Sequence, residues 1–229
     1  MSRAYDVVTS WVGAGFRLGH GIWVGPVGPR PASPPGLYEY EACPFCRKVR
    51  EACSVRDLEV LVKPCPKGGT RFRPEVVALG GKLSFPFLVD AGVGMNESAD
   101  IVRHLYARYG AGKPSWQLTW PLFMPLSAAA SAVRPGRGVT ARASRCPERP
   151  LELWGYEESP YCRLARETLC ELELPYLLHN IAHGSPKRGE FIATRGKRQF
   201  PFLLDPNTGA AMYESADISK YLEETYAIR

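Results

Sequence analysis

The chain has 229 residues, of which 45% are apolar and 23% charged, with seven cysteines and a formal net charge of +6. That balance excludes wholesale disorder and a collagen-like fibre, and the thiols are too sparse and odd in number for a disulfide-stapled secreted scaffold. The excess positive charge is confined to residues 1–36 and 111–150, which hold nine basic side chains and two acids.

Residues 1–36 therefore read as a basic arm. Its one acid, Asp6, fits the remnant of an organelle-targeted precursor and equally an ordinary arm; no apolar core follows a basic start, so a secretory leader is not expected. Gly13, Ala14 and Gly15 predict a helix that another backbone approaches closely, and the Pro-rich stretch from Gly25 to Gly36 predicts an extended connector. Leu37–Tyr40 alternates as a strand and stops at Cys43-Pro44, where proline suits the first position of a helix running to about Cys53. A strand over Asp57–Lys63, a short helix over Pro74–Leu79, and a hairpin of Phe87–Asp90 with Gly94–Asn96 follow. Ser98 is the expected cap of a helix ending at Tyr109-Gly110.

Residues 111–150 form a second arm. Its stretch Trp116–Val133 is the best membrane-span candidate, but Gln117, Thr119, Pro121 and Pro125 favour a soluble reading and leave only peripheral membrane contact open. Arg134, Arg137, Arg142, Arg145 and Arg149 have few aromatics between them, so a solvated connector is expected and nucleic acid is not.

The third part of the chain repeats the first. Leu37-Tyr-Glu-Tyr-Glu-Ala-Cys-Pro-Phe-Cys-Arg returns as Leu153-Trp-Gly-Tyr-Glu-Glu-Ser-Pro-Tyr-Cys-Arg, Phe85-Pro-Phe-Leu-Val-Asp as Phe200-Pro-Phe-Leu-Leu-Asp, and Glu97-Ser-Ala-Asp-Ile as Glu214-Ser-Ala-Asp-Ile. Three blocks in one order at a nearly constant offset imply duplication. The arms align as well, Phe16–Gly21 with Val133–Gly138, which predicts two units of one arm and one domain each. The expected organisation is an arm (1–36), a domain (37–110), a second arm (111–150) and a second domain (151–229). Each domain is an α/β unit with a four-stranded mixed sheet and helices on both faces.

Cys43-Pro44-Phe45-Cys46 follows a strand and opens a helix. A thiol at a helix start meets unpaired N–H groups and the positive end of the dipole, which stabilise its thiolate. Cys46, one turn in, is placed to resolve a mixed disulfide on Cys43. A zinc half-site and a simple packing pair are the alternatives. Zinc lacks a second Cys-x-x-Cys, and His179 and His183 are weak ligands for it, so no metal is expected. Ser98 and Ser215 at helix starts suit a carboxylate, and Glu97 and Glu214 suit an ammonium group; as structure alone they are a cap and a turn residue.

Cys43-Pro-Phe-Cys together with Phe85-Pro86 and Glu97-Ser98 resembles the glutaredoxin fold of glutathione transferase N-terminal domains, a thioredoxin-like fold. The resemblance implies glutathione as co-substrate. Its cysteinyl part would pair with the main chain at Phe85-Pro86, with the proline cis, and its γ-glutamyl end with Glu97 and Ser98; Phe200, Pro201, Glu214 and Ser215 repeat the set. The tandem resembles a group of plant and algal chloroplast proteins, which implies that compartment, with the cytoplasm as the alternative. Departures qualify the likeness. Ser159 replaces the outer cysteine of the second unit, where its hydroxyl is suited to hydrogen-bond a bound thiolate. Tyr40 and Tyr156 stand where many glutaredoxins carry lysine, and the helical domain that shapes a transferase's hydrophobic pocket is missing.

The expected function is thus a glutathione-linked thiol–disulfide oxidoreductase, with Cys43 as nucleophile, Cys46 as resolving thiol, a degenerate second domain and an unidentified thiol or disulfide substrate protein. The alternatives are a non-catalytic glutathione or iron–sulfur cluster binder, and an isomerase. For the latter, the first domain resembles the second type of prostaglandin E synthase. Among the other cysteines, Cys53 and Cys162 are expected in the core, and Cys65, in a Pro-Cys-Pro loop, is the one expected to be exposed.

Overall fold

The computed structural model describes residues 3–110 and 113–228; the predicted boundaries at Met1, Ala111 and Arg229 lie outside them. In chain order the elements are α1 (Arg3–Gly15), β1 (Gly36–Glu39), α2 (Pro44–Val55), β2 (Glu59–Pro64), α3 (Arg73–Gly80), β3 (Phe87–Asp90), β4 (Val93–Met95), α4 (Ser98–Tyr109), α5 (Trp116–Thr119) and α6 (Phe123–Ala132). They continue as β5 (Leu151–Gly155), α7 (Pro160–Glu171), β6 (Tyr176–Asn180), α8 (Lys187–Arg195), β7 (Phe202–Leu204), β8 (Ala211–Tyr213) and α9 (Ser215–Tyr226). Both units thus follow the predicted order of strand, helix, strand, helix, hairpin, helix. Alternate residues of each strand point to opposite faces. Leu37, Leu88, Leu153 and Leu203 join the core under α2, α4, α7 and α9, while Tyr38 and Phe87 meet α3 through Val76, and Phe202 meets α8 through Phe191.

The expected pair of four-stranded sheets is one sheet. Eight strands run in the order β4-β3-β1-β2-β6-β5-β7-β8, joined at the middle by antiparallel pairing of β2 with β6 (Val60 opposite Leu178, Val62 opposite Tyr176). Left apart, each sheet would end in a strand with unpaired peptide groups and buried apolar residues on its edge; pairing satisfies both edges at once. The main core accordingly runs without a break from Leu37 to Tyr226.

The arms are not solvated connectors throughout, and a unit is not simply an arm plus its own domain. The arms cross. Helix α1 lies against α7 of the second unit, and α6 lies against α2 of the first. Ser10 of α1 donates to the Pro160 carbonyl at 2.7 Å, and Ser127 of α6 donates to the Pro44 carbonyl at 3.2 Å. Further along, the N–H of Val24 donates to the His183 carbonyl, as the N–H of Lys67 donates to that of Val139. Small residues permit this contact, as predicted. A Cβ on Gly13 would lie 2.4 Å from Arg163 Nη1, and one on Gly138 (φ +63°) would lie 2.7 Å from Glu41 Cβ.

Arg17 and Arg134 of the arms are spent inside, whereas Arg142, Arg145 and Arg149 are exposed. Arg17 forks onto Glu51 at 2.6 and 2.9 Å, and Arg134 forks onto Glu167 at 2.7 Å twice, with Asp6 at 3.0 Å. Between the units, Arg50 donates to Glu157 at 2.8 Å, and also bonds Glu39, while Arg166 donates to Glu41 at 3.0 Å. Burial pushes the Glu41 carboxyl up, but Arg166 and Arg50 outweigh it and hold it at about 2. Glu39 keeps the opposite balance: burial raises it to about 7 against Arg50. Ser54 Oγ accepts from the Glu157 N–H and donates to the Gly21 carbonyl; Cys170 Sγ does the same between Glu41 and Gly138.

Removing one member of a buried pair strands the other, so Arg134→Met is expected to cost about 3–5 kcal/mol in denaturant unfolding. Glu158 titrates in the same interior. Burial, with Glu51 and Glu157 nearby, raises it from 4.5 to about 9 against Arg47 and Arg17. Its folded form binds the proton more tightly, so its contribution is complete below pH 4.5 and is lost as pH rises through about 9. Glu158→Gln is expected to melt at a temperature that falls less over that window than the wild type's; identical slopes would reject the assignment.

Candidate active site

Cys43 is the N-cap of α2, with an extended backbone (φ −71°, ψ 120°) and Pro44 in the first helical position. Its sulfur accepts from the Cys46 N–H at 3.3 Å. The thiol is lowered from 9.0 to about 6, chiefly by the Cys46 thiol that hydrogen-bonds it. Burial opposes this, and the N–H groups of Cys46 and Phe45 and the Tyr40 side chain add to the lowering. Cys43 is only 3% exposed, so these donors replace the water that a free thiolate would use. Cys46 is fully buried and pushed well above the ordinary thiol value, by burial first and then by the Cys43 sulfur beside it. All seven cysteines are free thiols.

Tyr40 stands edge-on to Phe85, with centroids 6.1 Å apart, and so ties the thiol to the Phe85-Pro86 segment, whose peptide bond is cis. The sequence pattern marked Tyr40 only as a missing lysine. In the fold its side chain hydrogen-bonds the Cys43 sulfur and favours the thiolate. Arg73 lies 5.2 Å over the Phe85 ring. Glu97, and not Ser98, caps α4: its backbone turns left-handed (φ 67°), which makes the buried Ser98 the first helical residue. The Glu97 side chain is exposed and 3.6 Å from Lys82.

The second unit repeats the geometry with oxygen in place of sulfur. Ser159 caps α7, and its Oγ accepts from the Cys162 N–H at 3.3 Å. Cys162 is buried, as expected, with its thiol raised by burial. Phe200-Pro201 is cis, and Glu214 (φ 66°) caps α9 before the buried Ser215.

Here the predicted residues do converge. Phe200, Pro201, Glu214 and Ser215 line a 470 Å³ cleft with Tyr156, Tyr161, His183, Arg188, Arg198, Gln199 and Arg3. Ser159 itself is buried and is not part of that wall. Glu214 accepts from Gln199 and lies 3.5 Å from Arg3. Arg188 spends Nε and Nη2 on the carbonyls of Ile181 and Ala182, and its guanidinium lies 5.2 Å over Phe200, as Arg73 does over Phe85. That matched spacing was a readable signal for Arg73 and Arg188. Arg3 had none, because it reaches the second unit from the first arm.

Cys65 is buried, not exposed: it packs with Tyr38, Phe72, Val76 and Phe87, and burial raises its thiol. His179 stacks on Trp154 at 4.1 Å and pairs with Glu59 and Glu152; among the described residues no cluster of three or more His, Cys, Asp or Glu is arranged to hold a metal.

A strand–helix–strand crossover followed by a hairpin and helix, with Cys43 or Ser159 at the start of the first helix, defines a thioredoxin-like unit. The chain matches the family described as glutathione S-transferase, N-terminal domain, over residues 37–114 and again over 153–229, and it belongs to that family. A glutathione S-transferase-like protein of Aspergillus terreus is 34% identical over 77 residues, 34% of each chain, so the present chain spans about a third of that relative's length. Among solved structures, a delta-class glutathione transferase of Nilaparvata lugens shares 30% identity over 34% of this chain and 37% of its own, with a TM-score of 0.32. A Bombyx mori glutathione transferase shares 26% over 36% and 38%, with a TM-score of 0.33.

Loss of the Tyr40 hydroxyl removes one of the bonds that favour the thiolate. Tyr40→Phe is therefore expected to raise the Cys43 pKa above about 6, read from the pH dependence of alkylation by iodoacetamide. An unchanged profile would show that the tyrosine does not act on the sulfur.

Proposed function

We propose that the chain is a glutathione-linked thiol–disulfide oxidoreductase, in which the first unit turns over and the second holds glutathione without reacting. The observation that carries this is the Cys43 thiol held at about 6 at the start of α2. Such a group is about nine-tenths thiolate at pH 7 and remains a good nucleophile. Phe85, Pro86, Glu97 and Ser98 would place the tripeptide beside it, as the family's fold implies.

The chemistry is disulfide exchange on a mixed disulfide between glutathione and a substrate thiol. The Cys43 thiolate attacks the glutathione sulfur; the bond to the substrate sulfur breaks, and that sulfur leaves with the electron pair and takes a proton from water. A second glutathione, as its thiolate, then attacks the glutathionyl sulfur on Cys43. Oxidised glutathione departs and Cys43 returns as the thiolate. Cys46 keeps its proton while Cys43 is the thiolate, because burial and the neighbouring sulfur oppose its ionisation. It supports the thiolate by hydrogen bonding, and its own attack to form an internal disulfide is the slower exit.

In the second unit Ser159 cannot exchange. The cleft over Phe200-Pro201, with Glu214, Ser215 and the arginines, supports retention of an anionic tripeptide there. A glutathione-coupled reduction assay on a glutathionylated peptide is expected to lose all turnover in Cys43→Ser and to keep activity of the same order in Cys46→Ser. Wild-type activity in Cys43→Ser would sink the proposal.

A further inference from the structure

The first of the two crossed helices is inside out. Helix α1 turns its polar side to the protein: Asp6 meets Arg134, Thr9 accepts from Arg134, and Ser10 donates to Pro160. Its outward side is apolar, with Val8 60% and Trp11 56% exposed and Tyr5, Val12 and Phe16 beside them. Helix α6 packs against α1 and turns Ser127 in to Pro44 beside the buried Phe123, while Leu122, just before its first turn, is exposed. An amphipathic helix in water would do the reverse. Contiguous exposed apolar surface of this kind marks a binding face.

We infer that this face lies on an anionic lipid bilayer. The one carboxylate of α1, Asp6, is turned to Arg134 at 3.0 Å. Cations border the pair: Arg3, 69% exposed with Glu214 at 3.5 Å, and Arg137, which also meets Glu167 and Glu171, line one cleft with Asp6 at the start of α1, and Lys48 sits 5.7 Å from the Phe123 ring of α6. Tryptophan and tyrosine with arginine and lysine at the margin suit the headgroup layer. No helix among the described residues is long and apolar enough to cross a membrane, so the pair rests in the plane of the interface. Trp11 meets Tyr161 edge-on at 6.3 Å, one residue past the first position of α7, and Phe45, the matching residue of α2, is also exposed. Contact through this face therefore brings the starts of both site helices toward the lipid.

Flotation of the full chain with vesicles of 40 mol% phosphatidylglycerol in phosphatidylcholine tests this. The wild type is expected to float with the vesicles, and less so with phosphatidylcholine alone. Val8→Glu and, separately, Leu122→Glu are expected to weaken the association roughly tenfold or more while melting as the wild type does. A wild type that stays in the soluble fraction at millimolar lipid overturns the inference. So does a concentration-dependent dimer in sedimentation velocity that Val8→Glu dissolves, since the face would then be covered by a second chain.

Discussion

Two arginines and two glutamates, buried where the units meet, constrain everything else in this molecule. Arg50 reaches into the second unit for Glu157, and Arg166 reaches into the first for Glu41. All four side chains are withdrawn from water. Such pairs add little net stability, because desolvation consumes most of the attraction. What they do is penalise every other arrangement: sliding one unit against the other leaves charges in the interior without partners. The pairing of β2 with β6 has one register in which these charges meet, and the arms, pinned by Arg17 and Arg134, close over it.

Cys43 inherits its position from that frame. Helix α2 carries Cys43 at its start, Arg47 and Arg50 along its buried side, and Glu51 facing Arg17. The same helix thus serves the thiolate at one end and the interface along its length. Above it, α6 holds the Pro44 carbonyl through Ser127, so a segment between the two units fixes the first turn on which the thiol's acidity depends. The second unit mirrors this with α1, Ser10 and Pro160, and keeps the whole scaffold around an oxygen that cannot exchange.

Much of the candidate site was legible because it is local. Cys43 at the helix start, Ser159 in the matched place, and Pro86 and Pro201 before short strands are facts of a few neighbouring residues, and the backbone conformation there follows from them. Tyr40 was visible by position and misjudged in role: its hydroxyl bonds the sulfur three residues on, which depends on how β1 ends against α2. Arg198 and Arg3 were not legible, because one stands in a loop without a match in the first unit and the other arrives from the opposite end of the chain. Cys65 misled for a similar reason. Prolines on both sides suggested an exposed loop, yet α3 and the outer face of the sheet close over it.

The amino-acid sequence alone determined the duplicated unit, the order of its elements and the residue types at each site, since periodicity, capping and repeat spacing act over short separations. Only the tertiary structure decided that the two sheets are one, that the arms cross, and that Arg17 and Arg134 lie inside rather than in water. Those outcomes depend on partners more than 30 residues apart, such as Arg134 with Glu167 or Ser127 with Pro44. A basic side chain carries no local mark of whether a carboxylate will be brought to it; burial supplies that, by making an unpaired charge too costly to keep.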